Sequence, residues 1–294
     1  MTYLQALILA IVEGLTEFLP ISSTANILLA EKFLQVSNRE LFASFTIFIQ
    51  LGAMLAVLFL FLKQLWQSKD IWWKIILAFI PTGLLGVLFF PLVKNYLQDA
   101  SPLTGWMLIG GGIFFTFLDW FWRQKAKKNP AANAEIATTS SDSYLPAVKK
   151  APWWKMTLIG TGQAAAMVPG VSRSAATIFS ARALGFSQFA ATQFSFVLAL
   201  PTIAAASGFD LLQAFLDRHE QVACSCVSAP CVCPTVYNVF NSRGDLFLML
   251  FGALVAFLVA LATANFFIKI LGKKPFFWWG IYRVIIGLIW LTLF

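Results

Sequence analysis

Charge is the first scarcity. Only 12% of the 294 residues are Asp, Glu, Lys or Arg, where a soluble domain carries about a quarter. That excludes an ordinary water-soluble globule. Histidine is nearly missing: His219 is the single one, expected as an exposed side chain in an outer loop, so imidazole chemistry is not expected at the motifs below. No Lys or Arg precedes Lys32. A secretory signal needs a basic leading region, so none is expected, and the N-terminus is placed on the non-cytoplasmic side. Cysteine is confined to "ACSCVSAPCVCP", with Cys224, Cys226, Cys231 and Cys233. In an outer loop an even set suggests disulfides. Closure within either C-x-C would be strained, which favours pairings between Cys224/Cys226 and Cys231/Cys233. Free thiols and a soft-metal site, zinc included, stand beside that reading.

What is abundant is apolar. The chain is 59% hydrophobic with mean hydropathy +0.78, and its apolar runs match the roughly 17–25 residues that cross a bilayer as helix. The expected class is all-α: a polytopic integral membrane protein. The net charge of +8 sits in short loops, where orientation and anionic lipid explain it better than nucleic acid, which is not expected as a partner. Uninterrupted runs predict about six full spans, at 40–62, 72–95, 103–122, 187–212, 244–270 and 275–293. Two more apolar regions, 2–33 and 154–184, are broken by Pro, Gly, Ser and charge. Irregular backbone at membrane depth survives only where protein or a polar cavity covers it, so both read as re-entrant helical hairpins. Lys63, Lys69 and Lys74, then Arg123 to Lys155, then Lys269, Lys273 and Lys274 flank loops that the span count puts on one side. The positive-inside rule makes that side cytoplasmic. Arg283 is expected near the inner interface, where snorkelling would satisfy it.

The two halves also resemble each other. "LPISSTA" (Leu19–Ala25) and "VPGVSRSAA" (Val168–Ala176) are both Pro-led hairpin tips with stacked hydroxyls, and each precedes a Phe-rich span. The expected organisation is an inverted-topology repeat: residues 1–122, a cytoplasmic linker at 123–153 that is flexible over 129–148, and residues 154–294 with an outer loop at 213–243. Such repeats place their site near the midplane, at the tips.

Two carboxylates in the first broken hairpin demand a reason. Glu13 and Glu17 are four apart and share a helix face; two carboxylates at membrane depth are expensive and repel. Either one is protonated against backbone, or the pair manages a divalent cation or a proton. The candidate cofactor is Mg²⁺ or Ca²⁺ on Glu13 and Glu17. Arg173, between Ser172 and Ser174 with Thr177 a turn on, wants an anion, and its fork suits phosphate; an internal Arg173–Glu17 salt bridge is the plainer reading. Gly170 lets backbone approach a ligand. Ser22, Ser23 and Thr24 read as N-caps of the next helix or as pocket hydroxyls. Gln50 and Gln163 either line the cavity or bond across helices. The combination suits phosphoryl chemistry on a lipid-linked phosphate.

Residues "EGLTEFLPISST" with "VPGVSRSAAT" resemble the two signature motifs of the undecaprenyl-diphosphate phosphatase family, the BacA/UppP type. The likeness extends to "FIQLGAMLAV", "QFSFVLALP" and the closing "IYR". It implies an enzyme that removes the terminal phosphate of undecaprenyl diphosphate, recycles the cell-wall carrier lipid and confers bacitracin resistance. It implies catalytic roles for Glu13, Glu17, Ser23 and Arg173, and phosphate binding by Ser22, Thr24, Asn26, Gly170, Ser172, Ser174, Thr177 and Gln50. It further implies a bacterial inner-membrane location and a pocket opening outward. Partners are then a polyprenyl diphosphate, the bilayer and a second copy in a homodimer. One position departs: the family motif ends in His where this chain has Asn26. Schemes that need that His do not carry over, which keeps a polyprenyl-phosphate transporter or an impaired homologue as the alternative.

Overall fold

The computed structural model describes residues 1–98, 102–128, 143–220 and 243–294. The four cysteines and linker residues 129–142 lie outside them. Among the described residues every regular element is helical. In chain order these are α1 (Tyr3–Thr16), α2 (Ser23–Leu34), α3 (Arg39–Gln67), α4 (Trp72–Gln98), α5 (Pro102–Lys128), α6 (Leu145–Lys150), α7 (Trp153–Gln163), α8 (Arg173–Ala183), α9 (Gln188–Glu220), α10 (Arg243–Lys273) and α11 (Phe277–Leu293). Five of them, α3, α4, α5, α9 and α10, are long and apolar enough to cross a membrane. The sixth expected span, α11, is apolar but only 17 residues long, about 25 Å at 1.5 Å per residue. The chain is thus a polytopic helical membrane protein.

Both broken regions are helix–break–helix. Thr2 starts α1 with a capping box: its hydroxyl accepts from Gln5 N at 3.2 Å and its own N–H donates to Gln5 Oε1 at 2.7 Å. The helix stops before Pro20, which cannot continue it, and α2 resumes at Ser23. In the second region α7 ends in a short 3₁₀ turn, Ala164–Met167, before Pro169 and Gly170, and α8 starts at Arg173. The residue preceding each returning helix, Ser22 (φ 67°) and Ser172 (φ 71°), lies in the left-handed region that non-glycine residues avoid. Such strain persists only where surrounding structure imposes it, and it gathers at functional sites.

Helix packing crosses between the two halves of the chain. Helix α1 lies on α10 as α7 lies on α4; α3 meets α10 as α9 meets α4; and α5 runs along α11. Glycine permits close approach at the two matching contacts: Gly14 faces the Ala256 carbonyl and Gly160 the Ala78 carbonyl, each with no room for a Cβ. Polar ties mark two ends of the bundle. At one, Gln5 donates to Leu34 O at 2.9 Å and Lys32 reaches Leu293 O. At the other, Asp119 accepts from Arg123 Nε at 2.9 Å and from Phe276 N at 3.2 Å, while Arg182 stacks over Trp122.

Three sequence expectations change here. Residues 143–148, the end of the 129–148 stretch expected to be flexible, are packed: Tyr144 and Val148 are buried, α6 forms, and Lys74 Nζ donates to Val148, Lys149 and Ala151 carbonyls at 2.7–2.8 Å. Lys74 therefore satisfies the orphan carbonyls that end a helix as well as marking a charged end. Helix α9 continues past 213, the expected start of the outer loop, to Glu220 and takes in the backbone of His219. Arg283 does not snorkel at an interface; it is fully buried mid-helix.

Candidate functional site

The tips of the two hairpins meet. Ser174 Oγ, in the first turn of α8, donates to Leu19 O at 2.7 Å, and Arg173 Nη2 bonds Glu17 Oε1 at 2.8 Å, so both links join one tip to the other. Ser23 Oγ donates to the second Glu17 oxygen, Oε2, at 2.6 Å. Glu17 thus holds a hydroxyl on one side and a guanidinium on the other. A hydroxyl, a carboxylate and a guanidinium in this order can serve as nucleophile, base and orienting group.

Two side chains here carry buried atoms whose hydrogen-bonding capacity is not filled. Both carboxylate oxygens of Glu13, which is fully buried, take no hydrogen bond from an N–H or hydroxyl donor, their one close polar neighbour being the Glu17 carboxyl, and Arg173 Nη1 donates to no acceptor. Glu13 lies within electrostatic reach of Glu17 and Arg173. Buried polar atoms are nearly always paired, and an unpaired carboxylate at membrane depth is costly. An acceptor pair and a cationic donor left unmatched side by side are what a phosphate with its counter-ion, or a proton, would complete.

The remaining candidates divide. Ser22 makes no capping bond, and Ser23 caps nothing because its hydroxyl is on Glu17, so the capping role expected for the first cluster is not seen there. Ser172 does cap α8, accepting from Ala175 N at 3.4 Å, and its Oγ lies 3.2 Å from Ser174 Oγ. Thr177 is fully buried and donates to Gln163 Oε1 at 2.9 Å; Gln163 Nε2 in turn donates to Thr82 and Thr202 hydroxyls at 3.1 Å. Gln163 therefore bonds across helices. Gln50 is half-buried on α3 and makes no hydrogen bond to either tip among the described residues. Thr24 is half-buried in the first turn of α2. Gly170 has φ 91° and touches the Thr104 carbonyl so closely that a Cβ would clash. Asn26 faces inward: its Nδ2 donates to Ser22 O at 2.9 Å, and its Oδ1 accepts from Tyr282 OH at 2.5 Å.

Sequence reasoning missed the weight of Arg283. Its Nη2 donates to Gly170 O at 2.6 Å and Met107 O at 3.3 Å, and its Nη1 to Val171 O at 3.2 Å and Pro20 O at 3.4 Å. The signal was present: Gly111 in α5 leaves a gap, and Arg283 fills it, its Nη2 lying where a Gly111 side chain would begin.

Helices that span a bilayer, two broken hairpins and an acid–hydroxyl–guanidinium cluster at their junction define a membrane-embedded site built for an anion. Residues 6–289 match the family described as bacitracin resistance protein BacA. The chain belongs to that family. It is 34% identical over 292 residues to an undecaprenyl-diphosphatase of Persephonella marina, covering 99% of this chain and 98% of that one. It is 38% identical over 291 residues to the same-named protein of Wolinella succinogenes, again with 99% and 98% covered. The undecaprenyl-diphosphatase of Aquifex aeolicus is 33% identical over 294 residues, covering 100% and 99%.

Proposed function

We propose that this protein is an integral membrane phosphatase that hydrolyses undecaprenyl diphosphate to undecaprenyl phosphate and inorganic phosphate, recycling the cell-wall carrier lipid. The observation that carries this is the chain Ser23–Glu17–Arg173, with Arg173 Nη1 and the Glu13 carboxylate left open beside it. Full-length relatives named undecaprenyl-diphosphatase support the substrate.

In this reading Ser23 Oγ attacks the terminal phosphorus while its proton passes to Glu17 Oε2. The bond from that phosphorus to the bridging oxygen breaks, and the lipid monophosphate leaves with the electron pair. Glu17 passes that proton to the departing lipid monophosphate, then takes a proton from the water that attacks the phosphoserine and returns it to Ser23 Oγ as inorganic phosphate is released. Arg173 Nη1 donates to the phosphoryl oxygens, where charge builds up in transfer. Ser22, Thr24, Ser172 and the N–H groups at the starts of α2 and α8 add donors at helix N-termini.

The residues fit a divalent cation. Glu13 offers two buried oxygens that take no hydrogen bond from an N–H or hydroxyl donor, and no third His, Cys or acidic group joins the Glu13–Glu17 pair among the described residues. Mg²⁺ commonly takes one or two carboxylates plus phosphate and water oxygens. Mg²⁺ or Ca²⁺ held by Glu13 and Glu17 would neutralise the diphosphate.

We place the two halves, 1–122 and 154–294, as inverted repeats about the α5–α11 contact, joined by the 123–153 linker. The enzyme sits in the bacterial inner membrane with its site open to the outer face. The exchange of packing partners between halves supports the repeat, since α1 on α10 mirrors α7 on α4.

The test is phosphate release from a C15 or C55 diphosphate by purified protein in detergent. Wild type releases phosphate; Arg173→Ala and Ser23→Ala each lose on the order of 10²–10³-fold, the scale of removing one transition-state donor. Wild type that binds the lipid diphosphate yet releases nothing would overturn the enzyme. Undiminished release by Ser23→Ala would remove Ser23 as nucleophile.

A further inference from the structure

Tyr282 and Arg283 are neighbours in the middle of α11, and between them they reach both hairpin tips. Arg283 is fully buried, and no carboxylate pairs with it among the described residues. Its four acceptors are all backbone carbonyls: Pro20 from the first tip, Gly170 and Val171 from the second, and Met107 from α5. The guanidinium also lies over the Phe115 ring, 4.7 Å from its centre. Tyr282 reaches the first tip by another route, through Asn26 Oδ1 at 2.5 Å and from the Asn26 amide to Ser22 O at 2.9 Å.

A buried cation without a counter-ion is a poor way to hold helices together, since apolar residues of similar volume do so at less desolvation cost. What the planar fork offers instead is several directed donors in a fixed geometry. Here those donors end on two irregular segments that have left their helices at membrane depth and need partners for freed carbonyls. The clamped atoms also sit close to the chemistry: Pro20 is three residues before Ser23, and Val171 two before Arg173.

We propose that Tyr282 and Arg283 are positioning residues that set the two tips against each other, so that Ser23 and Glu17 from one meet Arg173 from the other. They touch no reacting atom and act through the tip backbone. The inference rests on the reading of Ser23, Glu17 and Arg173 as the catalytic group, and it specifies why strained Ser22 and Ser172 keep φ values of 67° and 71°.

The experiment uses the full chain in detergent with two variants, Arg283→Lys and Tyr282→Phe. Three readings are taken: C15-diphosphate kinetics, thermal midpoint, and amide hydrogen exchange resolved over 20–24 and 169–174. Arg283→Lys keeps a charge but loses the fork. It should lower kcat on the order of 10- to 100-fold, the cost of misplacing catalytic groups, with KM within about threefold, and should speed exchange at both tips. Tyr282→Phe removes one hydrogen bond; it should lower kcat about two- to tenfold and speed exchange at the first tip only. Faster exchange spread through α5 and α11 with a lowered midpoint would make the pair a general stabiliser and overturn the proposal. So would unchanged kcat and unchanged tip exchange. If Arg283→Lys does not fold, Tyr282→Phe decides: no change at 20–24 sinks the idea. Should wild type release no phosphate while the tip-selective exchange pattern appears, the clamp stands and the phosphatase reading falls.

Discussion

An amide at position 26 does something an imidazole would have to do with one ring. Asn26 donates to Ser22 O at 2.9 Å and Ile21 O at 3.4 Å while accepting from Tyr282 OH. Asn26→Asp keeps the acceptor and loses the donor, setting a carboxylate against two carbonyls. A buried acceptor left without its partner costs about 1–3 kcal/mol, so the variant should lose thermal stability by that amount, and phosphate release with it. Asn26→His is the sharper test of chemistry. The proposed proton path runs from Ser23 to Glu17 and does not pass through residue 26, so Asn26→His should change the rate by less than about tenfold, on the scale of one altered hydrogen bond. A gain of a hundredfold or more would show that Ser23 and Glu17 do not suffice. Much of this neighbourhood was legible in the sequence: Glu17 opposite Arg173 follows from two broken hairpins that must cover each other's polar atoms. Arg283 was not, because a lone Arg in an apolar helix reads the same whether it snorkels or plugs a gap. Only the facing Gly111 separates the two cases, and pairing α5 with α11 takes tertiary structure.

Among the elements, hydropathy and proline breaks suffice for the long helices and both hairpins, because each crosses apolar surroundings with its backbone bonds closed internally. Helix α6 escapes that logic. Six residues carry no usable period, and it forms because Tyr144 and Val148 are buried while Lys74 caps its end. Tyr144 lies outside the spans, its hydroxyl is buried with no hydrogen bond, and burial pushes the phenol well above its ordinary value. A raised folded value means the docked state is favoured below the unfolded phenol's pKa of about 10 and loses that advantage as pH climbs above it. Tyr144→Phe removes an unsatisfied hydroxyl, so it should match or exceed wild-type stability by about 1 kcal/mol near neutrality. The gap between the two thermal midpoints should widen above about pH 10. A variant less stable than wild type at neutral pH would show that the hydroxyl has a partner. The α4–α7 crossing offers an independent check. At Gly160 a Cβ would stand 1.9 Å from Ala78 O, so Gly160→Ala should force the helices apart and cost about 1–3 kcal/mol, the usual penalty of overpacking.

At the scale of the whole molecule, the two halves exchange their hairpins. Helix α1 packs chiefly on α10, α7 on α4, and the α5–α11 contact is closed by Gly105, Gly112, Gly280 and Gly287, where backbone meets backbone. In a bilayer no hydrophobic force draws helices together, so close packing through small residues carries the association. Each half taken alone would then leave these glycine faces against lipid, and a broken hairpin with its carbonyls uncovered. Arg283 sharpens the point, since three of its four acceptors belong to the tips and one of those, Pro20, to the opposite half. Chains divided between Lys128 and Tyr144 should therefore fail singly and succeed together. Residues 1–135 and 136–294, separately tagged and co-expressed, should co-purify and release phosphate from the C15 diphosphate. Either fragment alone should aggregate on extraction. A single fragment that stays monodisperse with a cooperative thermal transition would mean that a half folds on its own, and that the interlock is a late docking of finished units.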